Sequence, residues 1–148
     1  MADPTLLELD ESVAALLNQA LKLQDFFPEF GAEHARKLFP RSGLFGYARD
    51  GVIVRQGEPG RDLFIVFSGT VKVHQDQGGI VVPLATLAPG SVIGEIALLR
   101  EVPRTATVTA LEDAKIYKLA HADLQYILAN NEELAAHLKA LAAQRLGL

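Results

Sequence analysis

The chain has 148 residues, of which 49% are hydrophobic, with no cysteine and a net charge of −4 at pH 7. This length fits a single domain that buries roughly 70% of the surface its unfolded form exposes. The missing cysteine excludes thiolate metal sites and disulfides, and the negative charge argues against broad nucleic-acid binding. The chain contains no apolar run as long as a membrane span and no basic signal-peptide region at its acidic N-terminus. We therefore expect a cytoplasmic protein that binds neither nucleic acid nor a membrane.

The first forty residues carry hydrophobic side chains at helical spacing. Asp3 and Pro4 are typical of an N-cap followed by proline at the first helical position. The periodic residues after them are Leu6, Leu9, Val13, Leu16, Leu17 and Ala20. A second short helix is predicted from Ala32 to Phe39, where Pro40 ends it. Core packing explains both helices, and the alternative is a segment that moves on ligand binding or packs on a partner.

From Arg41 the hydrophobic period changes from that of a helix to that of a strand. The short apolar runs are Leu44–Tyr47, Val52–Val54, Leu63–Phe67, Val71–Val73, Ile80–Val82, Thr105–Ala110 and Lys115–Leu119. Glycine-rich or acidic turns separate most of them. Many short strands at regular spacing predict a β-sandwich or β-roll.

The C-terminal residues return to helical spacing. One helix is predicted around Ala122, Leu124, Ile127 and Leu128, and another around Leu134, Leu138, Leu141 and Leu146. Asn130 or Asn131 is expected to separate and cap them. We find neither an internal repeat nor a domain linker.

The stretch from Gly94 to Val108 carries the chemistry. Gly94 allows a tight turn, and the residues from Glu95 to Leu98 favour one helical turn whose N–H groups form an anion site. Arg104 adds a planar guanidinium suited to phosphate. An ionised Glu95 only accepts hydrogen bonds, so its natural partner beside an anion is a hydroxyl, as on a ribose. The competing interpretation is a surface salt bridge between Glu95 and Arg104, worth at most about 1 kcal/mol.

Catalytic chemistry has little support. The four histidines, His34, His74, His121 and His137, lie in different elements, without metal-ligand spacing, and we expect them at the surface. The sequence contains no nucleophile elbow and no Walker-type loop. The segment from Gly57 to Gly60 lacks the lysine and the following helix of a phosphate loop, which indicates a structural turn. A cupin-type enzyme would need clustered histidines. We therefore expect a protein that is not an enzyme.

Two motifs resemble a known family. Gly94-Glu95-Ile96-Ala97-Leu98-Leu99 followed by Pro103-Arg104-Thr105-Ala106-Thr107-Val108 is similar to the phosphate-binding cassette of cyclic nucleotide-binding domains. Upstream, Gly51 to Gly60, Leu63 to Val66 and Ser68 to Val73 resemble the first glycine-punctuated strands of that family. The resemblance covers about Leu44 to Leu146.

The resemblance implies a mainly β fold with flanking helices, an eight-stranded β-roll of the double-stranded β-helix or jelly-roll type. One domain would span residues 1–148. It would have an N-terminal helical bundle in residues 1–40, the β-roll in 41–120 with the cassette and its short helix in 94–106, and two C-terminal lid helices in 121–148.

The resemblance also implies the ligand contacts. Glu95 would bind the ribose 2′-hydroxyl, and Arg104 the exocyclic phosphate beside Gly94 and the N–H groups near Ile96 and Ala97. The apolar residues near the base would be Val73, Ala85, Leu87 and Val92, with Ala85 and Leu87 dependent on the strand register. Thr105 bears on the choice between cAMP and cGMP, which leaves cAMP slightly ahead. Arg145 is either a lid over the base or a solvated cation at a helix C-terminus.

These features predict a cyclic nucleotide sensor in which ligand binding repositions the C-terminal helix. The ligand would be cAMP or cGMP, without a cofactor or metal. The output would come from a protein effector or a fused domain outside these residues. The alternative is a structural or protein-interaction domain that keeps the roll and binds no nucleotide.

Overall fold

The computed structural model describes residues 4–23, 26, 29–94 and 102–145. For Arg145 it describes the backbone alone. The strands in this part of the chain are β1 Thr5–Leu7, β2 Gly43–Tyr47, β3 Val52–Val54, β4 Leu63–Ser68, β5 Val71–Gln77, β6 Ile80–Leu87, β7 Val92–Ile93, β8 Thr107–Ala110 and β9 Ala114–Leu119. The helices are α1 Glu11–Leu21, α2 Ala32–Leu38, α3 His121–Asn130 and α4 Glu132–Arg145. The expected mainly β fold with flanking helices is confirmed at this level.

The strands form two antiparallel sheets. The larger sheet has the order β1-β2-β9-β4-β7, and the smaller has the order β3-β8-β5-β6. β5 and β6 form a long hairpin that begins at the pair Val71 and Leu87 and ends at Gln77 and Ile80. Both strands extend well beyond the predicted apolar runs. β5 continues through the polar residues from His74 to Gln77, and β6 continues through the mostly exposed residues from Pro83 to Leu87.

β4 and β9 are buried on both faces of the larger sheet. Along β4, Leu63 and Ile65 pack toward the helices, whereas Phe64 and Val66 pack between the two sheets. Successive side chains of a strand point to opposite faces, so a strand covered on both sides needs apolar residues throughout. This explains the unbroken hydrophobic run that begins at Leu63.

All four helices pack against the outer face of the larger sheet. Their buried residues join one hydrophobic cluster that includes Leu17 of α1, Ala35 of α2, Leu124 of α3 and Leu138 of α4. The break between α3 and α4 is at Asn131, whose side-chain oxygen accepts a hydrogen bond from the N–H of Leu134 at 3.0 Å. The predicted pair of C-terminal helices and their cap are therefore present.

The N-terminal segment differs from the predicted helix. Residues Thr5–Leu7 form β1, which pairs with β2 at the edge of the larger sheet. α1 begins only after Asp10, whose carboxylate accepts a hydrogen bond from the N–H of Val13 at 3.2 Å. Pairing satisfies N–H and C=O groups that the edge strand β2 would otherwise expose. The prediction of a helix from Pro4 is wrong for this reason, and Asp3 lies outside the described residues.

The strand count also differs from the prediction. Nine strands lie in the described part of the chain, whereas the resemblance implied eight.

α2 agrees with the predicted short helix and ends at Phe39, next to Pro40. Among the helices that the structure describes, none is long and apolar enough to cross a bilayer.

Candidate ligand-binding site

A row of valines forms the floor of a cavity on the inner face of the smaller sheet. Val54 of β3 pairs with Val108 of β8, which pairs in turn with Val73 of β5. Residues directly opposite each other in neighbouring antiparallel strands share a face. The cavity has a volume of about 250 Å³, and its lining also includes Leu87, Val92, Ile93, Val102, Pro103 and Ala106.

Arg104 is held at the wall of this cavity by its backbone and its side chain. Its N–H donates to the carbonyl of Glu58 at 2.9 Å, and its carbonyl accepts from the N–H of Gly57 at 2.7 Å. The guanidinium Nη2 donates to the carbonyl of Asp62 at 2.8 Å, and the Cζ atom lies 5.8 Å from the ring centroid of Phe64. The turn at Gly57 is therefore structural, as expected, and it also holds Arg104 in place.

Two glycines leave the space that the guanidinium occupies. A Cβ atom added to Gly60 would lie 2.8 Å from Nε of Arg104, and one added to Gly94 would lie 2.5 Å from Nη1. Gly94 also has a φ of +90°, which residues with a side chain rarely adopt. Neither position can carry a side chain without displacing the arginine.

The guanidinium is a partly desolvated cation. Burial lowers the pKa of Arg104 from its ordinary value, and the negative charge of Asp62 opposes this effect. An arginine stays protonated under such conditions. Within the described residues, its side-chain hydrogen bond is the one from Nη2 to Asp62, and a guanidinium carries five N–H donors. An apolar cavity with one such cation suits a ligand that combines an anionic group with an apolar one.

The structure brings together six of the residues predicted for the site. Gly94, Arg104, Thr105, Val73, Leu87 and Val92 all line the cavity. The side-chain amide of Gln75 donates to the carbonyl of Thr105 at 2.8 Å, which fixes the backbone of this exposed residue.

The remaining predicted residues lie elsewhere or are not described. Ala85 pairs with Val73 across the hairpin, but it is exposed and does not line the cavity. β6 is the edge strand of the smaller sheet, so nothing described covers it beyond β5. Glu95, Ile96 and Ala97 lie outside the described residues. Arg145 is the last residue of α4, and its side chain is not described.

Sequence reasoning missed several contributors. Val54 and Val108 were identified as strand residues without a site role, although their two-residue periodicity could have placed them on the face of Val73. Gly60 and Asp62 were not predicted because they meet Arg104 from a distant segment, with Asp62 lying 42 residues away in the chain. His137 is partly buried, contrary to the expected surface position, and its Nε2 lies 2.9 Å from the carbonyl oxygen of Leu21. Among the described residues, no group of three metal-ligating side chains comes together.

Comparison with known proteins identifies the family. A profile of the cyclic nucleotide-binding domain matches residues 45–131, which is more than half of the chain. The chain belongs to the cyclic nucleotide-binding domain family. The resemblance in the two motifs is thereby confirmed.

Relatives and solved structures support this assignment. The cyclic AMP receptor protein of Thermus thermophilus is 36% identical over 112 residues, which cover 75% of this chain and 48% of the receptor. A cyclic nucleotide-gated potassium channel of Mesorhizobium japonicum is 35% identical over 96 residues, covering 65% of this chain and 25% of the channel. The crystal structure of the Thermus thermophilus catabolite activator protein matches with a TM-score of 0.69 and 30% identity, over 86% of this chain and 58% of that one.

The chain spans about half of the receptor's length and a quarter of the channel's. One of these relatives is a receptor protein and the other is a potassium channel, and they share with this chain only the matched region. The matched region therefore identifies the family of this chain and does not identify the activity of a whole protein.

Proposed function

We propose that this chain senses a cyclic nucleotide, with cAMP slightly ahead of cGMP, and that it acts as a regulatory binding module and not as an enzyme. The observation that carries the proposal is the guanidinium of Arg104 at the wall of an apolar cavity. A cyclic nucleotide joins an anionic phosphate to a flat aromatic base whose faces can lie against apolar side chains. The named relatives support the same ligand class, since they include a cyclic AMP receptor protein.

In this proposal Arg104 holds the exocyclic phosphate, because its planar donor set matches phosphate oxygens. The N–H groups near Ile96 and Ala97 complete the anion site, and Glu95 accepts a hydrogen bond from the ribose 2′-hydroxyl. The base lies against the apolar lining of the cavity that includes Val73 and Leu87. Thr105, exposed at the rim, is the residue that influences the choice of base.

The first test is a titration with cAMP, cGMP and 5′-AMP during thermal unfolding. A ligand at a hundred times its Kd stabilises a protein by about 2.7 kcal/mol, which corresponds to a rise in Tm of roughly 5–10 °C for a chain of this size. We expect this rise with a cyclic nucleotide and a smaller one with 5′-AMP. The absence of a shift with both cyclic nucleotides would favour the alternative, a structural or protein-interaction domain on the same fold.

The second test removes the cation. Arg104→Ala should lower cAMP affinity by at least about thirtyfold, since an unpaired buried charge costs about 2–5 kcal/mol. Calorimetry measures the loss, and Arg55→Ala is the control. The side chain of Arg55 is 58% exposed and pairs with Glu58, so its removal should change Kd less than about twofold. Equal effects of the two substitutions would contradict the role of Arg104.

The C-terminal helix is the proposed response element. The buried apolar residues of α4, including Leu134 and Leu138, pack in the helical cluster on the far side of the larger sheet. A nucleotide that contacted both the cassette and the end of α4 would favour a conformation in which α4 moves toward the base. Arg145 would then cover the base as a lid.

Amide hydrogen exchange across α4 tests the lid. cAMP should slow exchange near the end of α4 in the wild type, and Arg145→Ala should remove the slowing while weakening binding less than Arg104→Ala. Identical exchange with and without cAMP would reject the lid. In either outcome, the signal would reach an effector protein or a fused domain outside these 148 residues.

A further inference from the structure

Asp62 contacts both the proposed phosphate site and the start of the C-terminal helices. Its main-chain carbonyl accepts a hydrogen bond from Nη2 of Arg104 at 2.8 Å. Its carboxylate oxygen Oδ1 accepts one from the N–H of His121, the first residue of α3, at 2.7 Å. The other carboxylate oxygen lies 3.7 Å from Nζ of Lys118. Asp62 therefore connects the guanidinium of Arg104 to the N-terminus of α3.

The start of α3 gains a hydrogen-bond acceptor from this contact. The N-cap residue Ala120 has no side chain that could accept a hydrogen bond from the first turn. Asp62 supplies an acceptor from a distant segment, and its negative charge is favourable at a helix N-terminus. The carboxylate thus satisfies one of the N–H groups at the start of the helix.

A second polar contact anchors α3 to the larger sheet. The buried carboxylate of Asp123 accepts hydrogen bonds from the N–H of Arg41 and the hydroxyl of Ser42, and that hydroxyl accepts from the N–H of Ala120. These contacts end at the segment before β2 and do not involve the cavity. Several hydrogen bonds are described at the start of α3. Of these, the bond from His121 to Asp62 has an acceptor residue that also contacts Arg104.

We propose that Asp62 is a positioning residue that couples ligand occupancy at Arg104 to the start of α3. The proposal rests on the proposed binding of a cyclic nucleotide. A phosphate on the guanidinium restricts the motion of Arg104, and the hydrogen bond from Nη2 then restricts Asp62. The carboxylate of Asp62 consequently stays on the N–H of His121 for a larger fraction of the time, which makes the first turn of α3 open less often.

The measurable consequence is the exchange rate of the His121 amide with and without cAMP. In the wild type we expect saturating cAMP to slow this exchange by at least about threefold, since protection reports the population of the open form. Asp62→Ala keeps the main-chain carbonyl and so keeps the Arg104 contact. Its Kd for cAMP is measured first by calorimetry, so that exchange is compared at saturating cAMP in both proteins, and the slowing at His121 should then disappear.

Two further variants separate coupling from simple destabilisation. Asp62→Asn keeps an acceptor oxygen for the His121 amide and should retain the slowing. Lys118→Ala removes the ion pair with Asp62 and the contact of Nζ with the Phe45 ring. It leaves the Asp62 carboxylate in place and should retain the slowing as well. A purely structural role would speed exchange equally with and without cAMP, and the ratio of the two rates would then stay at the wild-type value.

The outcomes distinguish this proposal from the one on which it rests. A wild type that does not bind cAMP or cGMP in calorimetry overturns both. A wild type that binds but shows no change at His121, or an Asp62→Ala variant with the wild-type ratio, overturns the coupling alone. If Asp62→Ala does not fold, Asp62→Ser gives the same test, because this substitution also removes the carboxylate that accepts the hydrogen bond from His121.

Discussion

The two sheets of this protein use their apolar residues differently. In the larger sheet, Ile65, Ile116 and Tyr117 are 0% exposed, because the helices cover one face and the smaller sheet covers the other. In the smaller sheet, Ile80 and Val81 of the β6 hairpin are 69% and 64% exposed. A valine row on its inner face lines a cavity, to which β7 of the larger sheet adds Val92 and Ile93. The helix-covered face of the larger sheet is thus closely packed, whereas the smaller sheet leaves apolar side chains at a cavity and in solvent.

The largest expected effect lies in the helical cluster on the larger sheet. Leu17 of α1 is 0% exposed, and Leu17→Ala should lower the free energy of unfolding by about 3–5 kcal/mol. Denaturant unfolding measures this loss, and the cAMP affinity of the folded fraction should stay within about threefold of the wild type. The control is Leu6→Ala, because Leu6 is 68% exposed. A strong loss of affinity without a loss of stability would contradict the division between the sheets.

An intermediate effect is expected on the ligand side. Gly60→Ala places a Cβ atom 2.8 Å from Nε of Arg104 without a strained φ. The displaced guanidinium should weaken cAMP binding about tenfold, equivalent to about 1.4 kcal/mol, with little change in Tm. Gly46→Ala is the matched control, since a Cβ atom added there would lie 3.4 Å from its nearest neighbour, Cδ1 of Leu7. Unchanged affinity in the Gly60 variant would show that the arginine adapts to a side chain there.

The smallest effect concerns the start of α1 and depends on pH. Hydrogen bonds from the Ser12 side chain and the Val13 N–H lower the pKa of Asp10 below its ordinary value of 3.8. A carboxylate with a lower pKa in the folded state stabilises the protein above its unfolded pKa, and this contribution disappears as the pH falls through the folded pKa. Asp10→Ala should therefore lower Tm at pH 6 by about 2–4 °C, and the difference should shrink toward pH 3.

Asp10→Asn provides the control for that measurement. Asparagine caps helices about as well as aspartate, so this variant should keep most of the Tm of the wild type at pH 6 and lack the pH-dependent part. A difference between the wild type and Asp10→Ala that does not change from pH 6 to pH 3 would contradict the assigned role of the charge.

The sequence predicted the larger part of the fold and about half of the site. Strands β2 to β6, β8 and β9 overlap the predicted apolar runs, whereas β7 was not predicted. The α3–α4 break is at a predicted asparagine. Ala85 shows where this reasoning ends. Its place at the site was left dependent on the strand register, and the structure pairs it with Val73. Its exposure depends on β6 being an edge strand, and strand order cannot be read from local periodicity. The N-terminal strand was missed for the same reason, since it depends on the open edge of β2.

The sequence by itself determined the order of the elements, the apolar faces of the strands and the glycine and arginine of the cassette, because these depend on each residue and its near neighbours. Only the tertiary structure decided that the loop from Gly57 to Asp62 meets Arg104 and that Asp62 reaches the first turn of α3. Those contacts join segments 42 and 59 residues apart. The contact with Arg104 forms when the two sheets pack against each other, and the contact with α3 forms when β4 pairs with β9, which places Leu63 opposite Leu119. The position of the cation in its cavity follows from the packing of the sheets.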